Sequence, residues 1–245
     1  MRPCHEKGVP PVAATRTAPA LTPRLRLLAD WVPQGVTFAD IGTDHAYLPV
    51  WLRLHGRVTY AIASDLRKGP LERARETGRT YGADGIDYRL ANGLQDVRPE
   101  EAAVIAIAGM GGETIAAILE AATWTADGNH TLLLQPMTHA PLLRRYLAEH
   151  GFAITREALV RDRGVIYPVM EVKAGEMQLT TGQLYCGAKL LQDPLGDRFA
   201  IENIVRHQMA LAGARRSDPE KAEALREILT GLLAWREEWR HANCP

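Results

Sequence analysis

Three reactive side chains stand close together directly after an apolar run near the start of the chain. The apolar run is 36–41, Gly42 follows it, and Asp44, His45 and Tyr47 come next. In open α/β sheets, ligands bind in the crevice at the carboxyl ends of the strands, so we expect the chemistry in this stretch. The alternative is that Gly42 only permits a tight strand-to-helix turn and that Asp44 caps the next helix.

Two hydrogen-bonding side chains follow the next two predicted strands in the same way. The second predicted strand closes on Asp65, and the third leads into Asn92-Gly93-Leu94. In nucleoside-binding α/β folds, an acid at the end of the second strand accepts hydrogen bonds from ribose hydroxyls. An amide after the third strand can accept one from the exocyclic amine of adenine. The alternatives are that Asp65 caps the next helix and that the Asn-Gly pair is only a favourable turn.

Three glycines within four residues follow the most strand-like run of the chain, 104–108. They are Gly109, Gly111 and Gly112, and a predicted helix begins after them. Because glycine has no side chain, such a run lets the backbone approach a ligand on both sides, whereas a helix entry needs only one or two glycines. The stretch at Gly42 has a single glycine and lacks the dinucleotide fingerprint, which argues against a pyrophosphate site.

The elements that position these residues alternate between strand and helix patterns. Five apolar strands, each followed by a helical pattern, precede two alternating runs at 152–162 and 165–172. The turn Asp162-Arg163-Gly164 joins these two runs and is typical of a hairpin. This order predicts an α/β fold, the Rossmann-like, mostly parallel seven-stranded sheet of a class I methyltransferase, with one antiparallel strand.

The pattern is helical throughout from Thr180 onward. One seam steps by three and four residues and needs a partner helix; it consists of Leu225, Ile228, Leu232, Trp235 and Trp239. The partner is predicted in the run 198–215, whose apolar residues are Ile201, Ile204, Val205 and Met209. We therefore predict a coiled-coil-like C-terminal helical hairpin, preceded by a shorter helix at 183–191. A monomer is expected, and a homodimer through the same helices is the alternative.

Length and composition are typical of a soluble globular protein. The chain has 245 residues, 46% of them hydrophobic, and a formal net charge of zero. It contains no apolar run of about 18 residues, and residues 1–23 lack the hydrophobic core of a secretory signal, so we expect a cytoplasmic protein without a membrane segment. We divide the chain into a disordered extension (1–20), a cofactor-binding methyltransferase domain (21–175) and a helical domain (176–245).

The cysteines give no sign of a structural framework. Cys4, Cys186 and Cys244 are widely spaced and odd in number. This argues against disulfides and against a zinc site with paired ligands, so we expect no metal.

Basic residues cluster in two places. Residues 1–29 contain Arg24 and Arg26 among five cations, against the single acid Glu6. A second set lies between residues 53 and 79 and is only partly offset by acids. Together the two sets suggest one phosphate-facing surface, although solvated helix faces are the commoner outcome for such residues.

The chain resembles the bacterial TrmK family. Three stretches and the C-terminal helical hairpin carry the resemblance, which covers the chain from about Leu21 to its end. The stretches are Asp40-Ile41-Gly42-Thr43-Asp44-His45-Ala46-Tyr47-Leu48-Pro49, Ile107-Ala108-Gly109-Met110-Gly111-Gly112 and Leu134-Gln135-Pro136. That family transfers a methyl group from S-adenosylmethionine to N1 of the adenine at position 22 of tRNA.

The resemblance implies S-adenosylmethionine as the cofactor and tRNA as the partner. The cofactor-binding residues are then expected to be Asp40, Gly42, Thr43, Asp65, Leu66, Asn92, Gly93, Leu94, Ala108, Gly109 and Met110. The expected catalytic residues are Asp44, His45 and Tyr47, and the expected substrate-binding residues are Gln135, Pro136, Arg24 and Arg26.

Two residues depart from the pattern of the family. Asn92 stands where an aspartate is common, which keeps a hydrogen-bond acceptor but loses a charge. Met137 stands where we would expect asparagine in many relatives, which removes an amide from the candidate target pocket. We expect the cofactor's adenine to be recognised in spite of the first change.

Methyl transfer to adenine N1 needs no base, because the neutral ring already has an in-plane lone pair there. Alignment then supplies much of the acceleration, and a carboxylate near the ring stabilises the positive charge that develops in it. We assign that carboxylate to Asp44, and Tyr47 or His45 to stacking on an extruded base; the alternative places Tyr47 in the core.

Two rival functions remain open at this point. The first is a class I methyltransferase that acts on another RNA, on a protein or on a small molecule. The second is a non-catalytic RNA-binding or scaffold protein with a vestigial cofactor site.

Overall fold

The computed structural model describes residues 17–214 and 217–243, which form a sheet covered by helices on both faces and followed by three further helices. The helices are α1 (Pro23–Trp31), α2 (Tyr47–Leu54), α3 (Lys68–Tyr81), α4 (Gly112–Glu120), α5 (Ala140–Glu149), α6 (Thr181–Cys186), α7 (Gly196–Ala214) and α8 (Pro219–Asn243). The strands are β1 (Val36–Ile41), β2 (Val58–Asp65), β3 (Ile86–Leu90), β4 (Val104–Gly111), β5 (Thr131–Thr138), β6 (Phe152–Asp162) and β7 (Val165–Ala174). Most of the predicted extension, residues 1–16, lies outside the described residues, and 17–20 have no regular secondary structure.

The seven strands form one sheet in the order β3-β2-β1-β4-β5-β7-β6. Neighbouring strands are parallel except that β7 is antiparallel to both β5 and β6. This confirms the predicted Rossmann-like methyltransferase sheet. The strand order reverses between β1 and β4, and such switch points open the crevice in which α/β proteins bind ligands.

Successive strand residues point to opposite faces and build two cores. In β4, Ile105 and Ile107 belong to the core that contains α4 and α5. Val104 and Ala106 belong to the core that contains α1 and α2 on the other face. Because both faces are covered, these strands read as continuous apolar runs in the sequence.

The hairpin between β6 and β7 has a two-residue loop. Its residues are Arg163, with φ of 49°, and Gly164, with φ of 84°. Positive φ at both positions is the type I′ geometry that matches the twist of paired strands, so the predicted hairpin is confirmed. The loop lies at the same edge of the sheet as the carboxyl end of β5.

The last two helices are antiparallel, as predicted. Leu211, near the end of α7, packs with Leu225, near the start of α8. At the other end of the pair, Gly196 lies against Trp239, where a Cβ would come within 2.4 Å of the indole nitrogen.

Three details of the C-terminal prediction are wrong. Val205 and Met209 are 47% and 72% exposed, because α7 turns Phe199, Ala200 and Ile204 inward instead. The short helix α6 ends at Cys186 and does not extend to residue 191, since the backbone leaves helical geometry at the following glycine.

The C-terminal helices share a core with the sheet. Leu159 of β6 and Ile166 of β7 pack with Phe199, Leu232 and Trp235. The seam of α8 is therefore covered within the chain by α6, α7 and the β6–β7 hairpin. The predicted domain boundary at 175/176 stays a prediction, although a continuous apolar core crosses it.

A buried ion pair lies at the same junction. Arg144 Nε donates to Glu157 Oε1 at 2.9 Å, and both side chains are fully buried. The second carboxylate oxygen of Glu157 accepts the backbone N–H groups of Ala188 (2.6 Å) and Lys189 (3.0 Å). Arg144 also donates to the carbonyl of Leu184 at 2.7 Å. One charged pair therefore ties α5 and β6 to the segment around α6.

Residues 17–214 and 217–243 contain neither a membrane-spanning helix nor a cluster of metal ligands. None of their helices combines the length and apolar character needed to cross a bilayer. They contain no group of three or more His, Cys, Asp or Glu side chains that could hold a metal ion. Cys186 is buried as a free thiol, and its burial raises the thiol pKa to about 12.

Candidate functional site

The turn between β1 and α2 holds three residues in the left-handed region. φ is 73° at Gly42, 48° at Asp44 and 53° at Ala46. Glycine adopts this region freely and aspartate tolerates it, whereas alanine does so only when its surroundings fix it. The N–H groups of Gly42 and Thr43 donate to the carbonyl of Ser64 at 2.8 and 2.9 Å. The turn is thereby fixed to β2 at the switch point of the sheet.

Asp44 does not cap α2. The N-terminal cap is Ala46, and no side chain accepts a hydrogen bond there. Arg73 Nη2 instead donates to Asp44 Oδ1 at 2.7 Å, and His45 Nε2 lies 3.7 Å from Oδ2. About half of each side chain in the Asp44–Arg73 pair is exposed, so water competes with the ion pair and holds its contribution to about 1 kcal/mol or less. The carboxylate is therefore available to a ligand.

Asp40 is a buried acid at the end of β1. Burial raises the pKa of its carboxyl to about 6, against the opposing effect of a 2.6 Å hydrogen bond from the Thr43 hydroxyl. The negative charge of Asp65 raises this pKa further. A cation bound beside Asp40 would favour its ionised form, because the two charges attract.

A cavity of about 470 Å³ lies between the ends of β1, β2 and β4, the 91–95 loop and α4. The predicted cofactor residues on its wall are Gly42, Asp65, Leu66, Asn92, Gly93, Leu94, Ala108, Gly109 and Met110. The remaining two, Asp40 and Thr43, line an adjoining cavity. The structure thus brings all the predicted cofactor residues to one region.

Asp65 is held in place by backbone hydrogen bonds on the wall of the first cavity. Its Oδ1 accepts the N–H of Arg67 at 2.9 Å, and its Oδ2 accepts the N–H of Asp44 at 3.3 Å. It does not cap α3, whose capping residue is Arg67 without a side-chain bond. A carboxylate has about four acceptor positions, so Asp65 can also accept from ligand hydroxyls. Leu66 beside it is 64% exposed and offers an apolar surface.

The three glycines at the end of β4 and the start of α4 have two different roles. A Cβ at Gly109 would meet no atom within 4 Å, and Gly109 lines both cavities with φ of 78°. A Cβ at Gly112 would lie 2.4 Å from the carbonyl oxygen of His139, and one at Gly111 would lie 3.2 Å from a side chain of β5. The expectation that all three glycines serve a ligand is wrong. Gly111 and Gly112 serve close packing, and β4 continues through Gly111 with a register shift around Gly109.

The second cavity has a volume of about 320 Å³. It shares four residues with the first cavity, namely Gly42, Asp44, Ala108 and Gly109. Its other walls are Thr22, Arg24, Leu25, Asp40, Thr43, His45, Tyr47, Leu48 and Met137. The two cavities therefore meet between the ends of β1 and β4.

His45 and Tyr47 form an aromatic pair on the wall of the second cavity. Their rings are nearly parallel, with an interplanar angle of 4° and centroids 5.2 Å apart. Tyr47 is 37% exposed whereas the next residue, Leu48, is buried, so the alternative that places Tyr47 in the core is wrong. A flat aromatic surface beside a cavity can stack on a base.

Gln135 lies behind the second cavity and not on its wall. Its side chain is fully buried, donates to the carbonyl of Pro136 at 2.9 Å and accepts from Arg24 Nη1 at 2.7 Å. Arg24 also forms a 2.7 Å ion pair with the buried Asp162. The predicted direct contact of Gln135 with a substrate stays a prediction, and its side chain lines neither the first nor the second cavity. Pro136 is buried and lines a third cavity.

The predicted phosphate-facing surface stays a prediction, although three of its arginines have partners within the protein. Arg26 lines neither cavity; it pairs with Asp30 at 2.9 Å and lies over the Trp51 ring at 5.1 Å. In the second basic set, Arg53 and Arg57 donate to backbone carbonyls of their own fold. Arg26, Arg53 and Arg57 therefore hold local structure.

One wall of the first cavity was missed by the sequence analysis. It is formed in and just after α4 by Thr114, Ala117, Ile118 and Ala121. Their spacing of three, one and three residues places them on one face of a helix. That spacing, directly after the glycine run, is the signal that would have found them.

Comparisons with known proteins agree with this geometry. Residues 21–170 match the family model of a methyltransferase domain. A Bacillus subtilis protein named tRNA (adenine(22)-N(1))-methyltransferase is 35% identical over 71% of this chain and 74% of its own length. The crystal structure of the B. subtilis M1A22 tRNA methyltransferase TrmK is 30% identical, covers 91% of this chain and 98% of its own, and has a TM-score of 0.77. A Streptococcus pneumoniae protein crystallised with S-adenosyl-L-methionine is 32% identical, covers 89% of this chain and 100% of its own, and has a TM-score of 0.79.

Proposed function

Because the chain belongs to the methyltransferase-domain family that includes the bacterial tRNA (adenine(22)-N1)-methyltransferases, we propose that it methylates N1 of adenine 22 in tRNA with S-adenosylmethionine. The observation that carries the proposal is the meeting of two cavities at Gly42, Asp44, Ala108 and Gly109. One cavity suits a nucleoside cofactor and the other a flat acceptor. We further propose that the protein works in the cytoplasm, without a metal, and as a monomer.

The first cavity fits the cofactor by the chemistry of its donors and acceptors. Asp65 would accept from the ribose hydroxyls, and Asn92 would accept from the adenine amine. Leu66 and Ile118 supply apolar surface for the adenine ring. Asp40, whose carboxyl is buried, would lie near the positive charge that the cofactor brings.

S-adenosylmethionine supplies a methyl group on a positively charged sulfur, and transfer breaks the S–CH3 bond, forms the N1–CH3 bond and passes the charge to the adenine ring. No side chain needs to remove a proton first. The protein's part is to align the two molecules, for which well-oriented pairs gain about 7–11 kcal/mol. His45 and Tyr47 would stack on the extruded base, and the Asp44 carboxylate would face the ring that becomes cationic.

A substitution at Asp65 tests the cofactor assignment. Asp65→Ala is expected to weaken S-adenosylmethionine binding roughly tenfold or more, because a charged hydrogen-bond acceptor contributes about 1.5–3 kcal/mol. Isothermal calorimetry measures this. Glu72→Ala on α3 is the matched control, since Glu72 is exposed, pairs only with Lys68 among the described residues and does not line the cavity. Unchanged affinity in Asp65→Ala would remove Asp65 from the site.

The proposed reaction is tested by mapping modified nucleosides. Purified protein is incubated with S-adenosylmethionine and unmodified tRNA transcripts, and the product is digested and analysed by mass spectrometry. We expect one N1-methyladenosine, located at position 22. A transcript with guanosine at that position should take up no methyl group. Methylation of a protein fraction or of small molecules, with none on tRNA, would support the rival enzyme.

A further inference from the structure

A third cavity, of about 540 Å³, opens beside the second one, between the β5–α5 turn, the start of β7 and α7. We call it the α7 cleft and define it by Met137, Tyr167, Tyr185, Asn203, Arg206 and His207. It adjoins the second cavity, because Met137 lines both. A chain that enters the second cavity can therefore extend into the α7 cleft.

The charged groups that line the α7 cleft favour an anionic ligand. Arg206 is exposed and has no ion pair or hydrogen bond from its side chain to any described residue. The other basic groups on the wall are two histidines, His139 and His207, and no Asp or Glu lies on it. Glu113, which is not on the wall, has its carboxylate 3.7 Å from His139 Nδ1. An unpaired guanidinium in such a place is a typical phosphate ligand.

Aromatic rings line the same cleft. The rings of Tyr185 and His207 meet edge to face, with centroids 5.0 Å apart. His207 is fixed by a 2.7 Å hydrogen bond from Nδ1 to the carbonyl of Asn203. Tyr167 is oriented by the guanidinium of Arg24, 5.2 Å from its ring centroid. Rings next to an unpaired arginine are the combination with which proteins bind single nucleotides of an RNA chain.

We propose that the α7 cleft binds the nucleotide next to the methylated adenosine in tRNA, with its phosphate at Arg206 and its base against Tyr185. This rests on the proposed function, since it needs an adenosine in the second cavity. Extruding one base unstacks its neighbour, and a second binding position recovers part of that cost. The cleft would also help select the tRNA by requiring an unstacked base at this site.

The phosphate contact is tested with Arg206→Ala. We expect the KM for tRNA to rise about tenfold while kcat at saturating tRNA and the Kd for S-adenosylmethionine stay within about twofold. The plot of log binding constant against log salt concentration has a negative slope, and its magnitude should decrease by about 0.7. Arg198→Ala is the matched control, because Arg198 is an exposed arginine on the same helix, pairs with Glu202 and does not line the cleft. An equal effect of both substitutions would overturn the assignment.

The base contact is tested by changing the RNA as well as the protein. An abasic nucleotide is placed on either side of the target adenosine, and we expect one of the two to raise the KM for wild-type protein at least about fivefold. In Tyr185→Ala that abasic substitution should have no further effect, whereas Tyr185→Phe should behave as wild type. If Tyr185→Ala does not fold, the KM values of wild type and Tyr185→Phe for the abasic transcripts still decide whether a neighbouring base is bound.

The failures of the two proposals are distinguishable. Absence of methylation by the wild-type protein on every tRNA would overturn the proposed function itself. Normal methylation of both abasic transcripts, together with an unchanged KM for tRNA in Arg206→Ala, would overturn only the proposal that the α7 cleft binds the neighbouring nucleotide.

Discussion

Asp44→Asn is expected to lower the rate of methyl transfer on the order of 10²-fold while cofactor and tRNA binding stay largely intact. Asparagine keeps the size of the side chain and tolerates the left-handed backbone, where φ is 48°. It removes the negative charge that would meet the cationic adenine, and one such preorganised contact is typically worth 10²–10³ in rate. We take the lower end because about half of the Asp44 side chain is exposed. Single-turnover methylation with saturating cofactor measures the effect.

Arg73→Gln is the control for this prediction. It breaks the 2.7 Å ion pair with Asp44 but leaves the Asp44 charge in place. We expect its rate to stay within about threefold of wild type, because a half-exposed pair contributes little. Equal losses in both variants would show that the pair, and not the charge, matters. Loss of cofactor binding in Asp44→Asn would move Asp44 to the cofactor site, since it lines the first cavity as well.

Arg144→Met is expected to destabilise the protein by about 3 kcal/mol. The substitution leaves the Glu157 carboxylate fully buried without its cation, and breaking such a pair typically costs about 3–5 kcal/mol. We take the lower end because two backbone N–H groups still bond Glu157. For a chain of this size that corresponds to a fall in Tm of roughly 6–12 °C. Urea unfolding followed by circular dichroism measures the loss.

Two further variants separate the ion pair from simple loss of an arginine. Arg145→Met changes the adjacent, exposed residue of α5 and should shift stability by less than about 0.5 kcal/mol. Replacing both Arg144 and Glu157 by methionine should recover part of the loss, because no uncompensated charge stays buried. A single Arg144→Met variant as stable as wild type would contradict the role given to the pair.

The strands and the turns at their ends are the part of this structure that local sequence predicts well. β1 begins and ends at the predicted residues and β2 ends at the predicted Asp65, because strands covered on both faces appear as apolar runs that stop where polar residues begin. The turns that follow carry the acids and glycines of the first cavity. Asp65 and Asn92 lie where their positions after the strands predict them.

Contacts between distant parts of the chain are the part that local sequence does not predict. Arg24 bonds with Gln135 and Asp162, which are 111 and 138 residues away along the chain. Arg24 and Gln135 were both predicted to bind the substrate, and in the structure they bind each other. The same limit explains α7, because its buried face is set by β6, β7 and α6 as well as by α8. Val205 and Met209 belong to the face that a two-helix pattern predicts, and both are exposed.

The core shared by the sheet and α8 bears on how the protein is made. Glu157 leaves the ribosome before the amides of Ala188 and Lys189 that bind its carboxylate, and long before Trp235, which covers the β6–β7 hairpin. At about 5–20 residues per second, the stretch from Glu157 to Trp235 takes roughly 4–16 seconds to synthesise. During that interval the apolar side chains of the β6–β7 hairpin lack the cover of α8. Until Ala188 and Lys189 are made, the Glu157 carboxylate also lacks its two backbone N–H donors. The chain is therefore most prone to aggregation while the hairpin is made and the last helix is not.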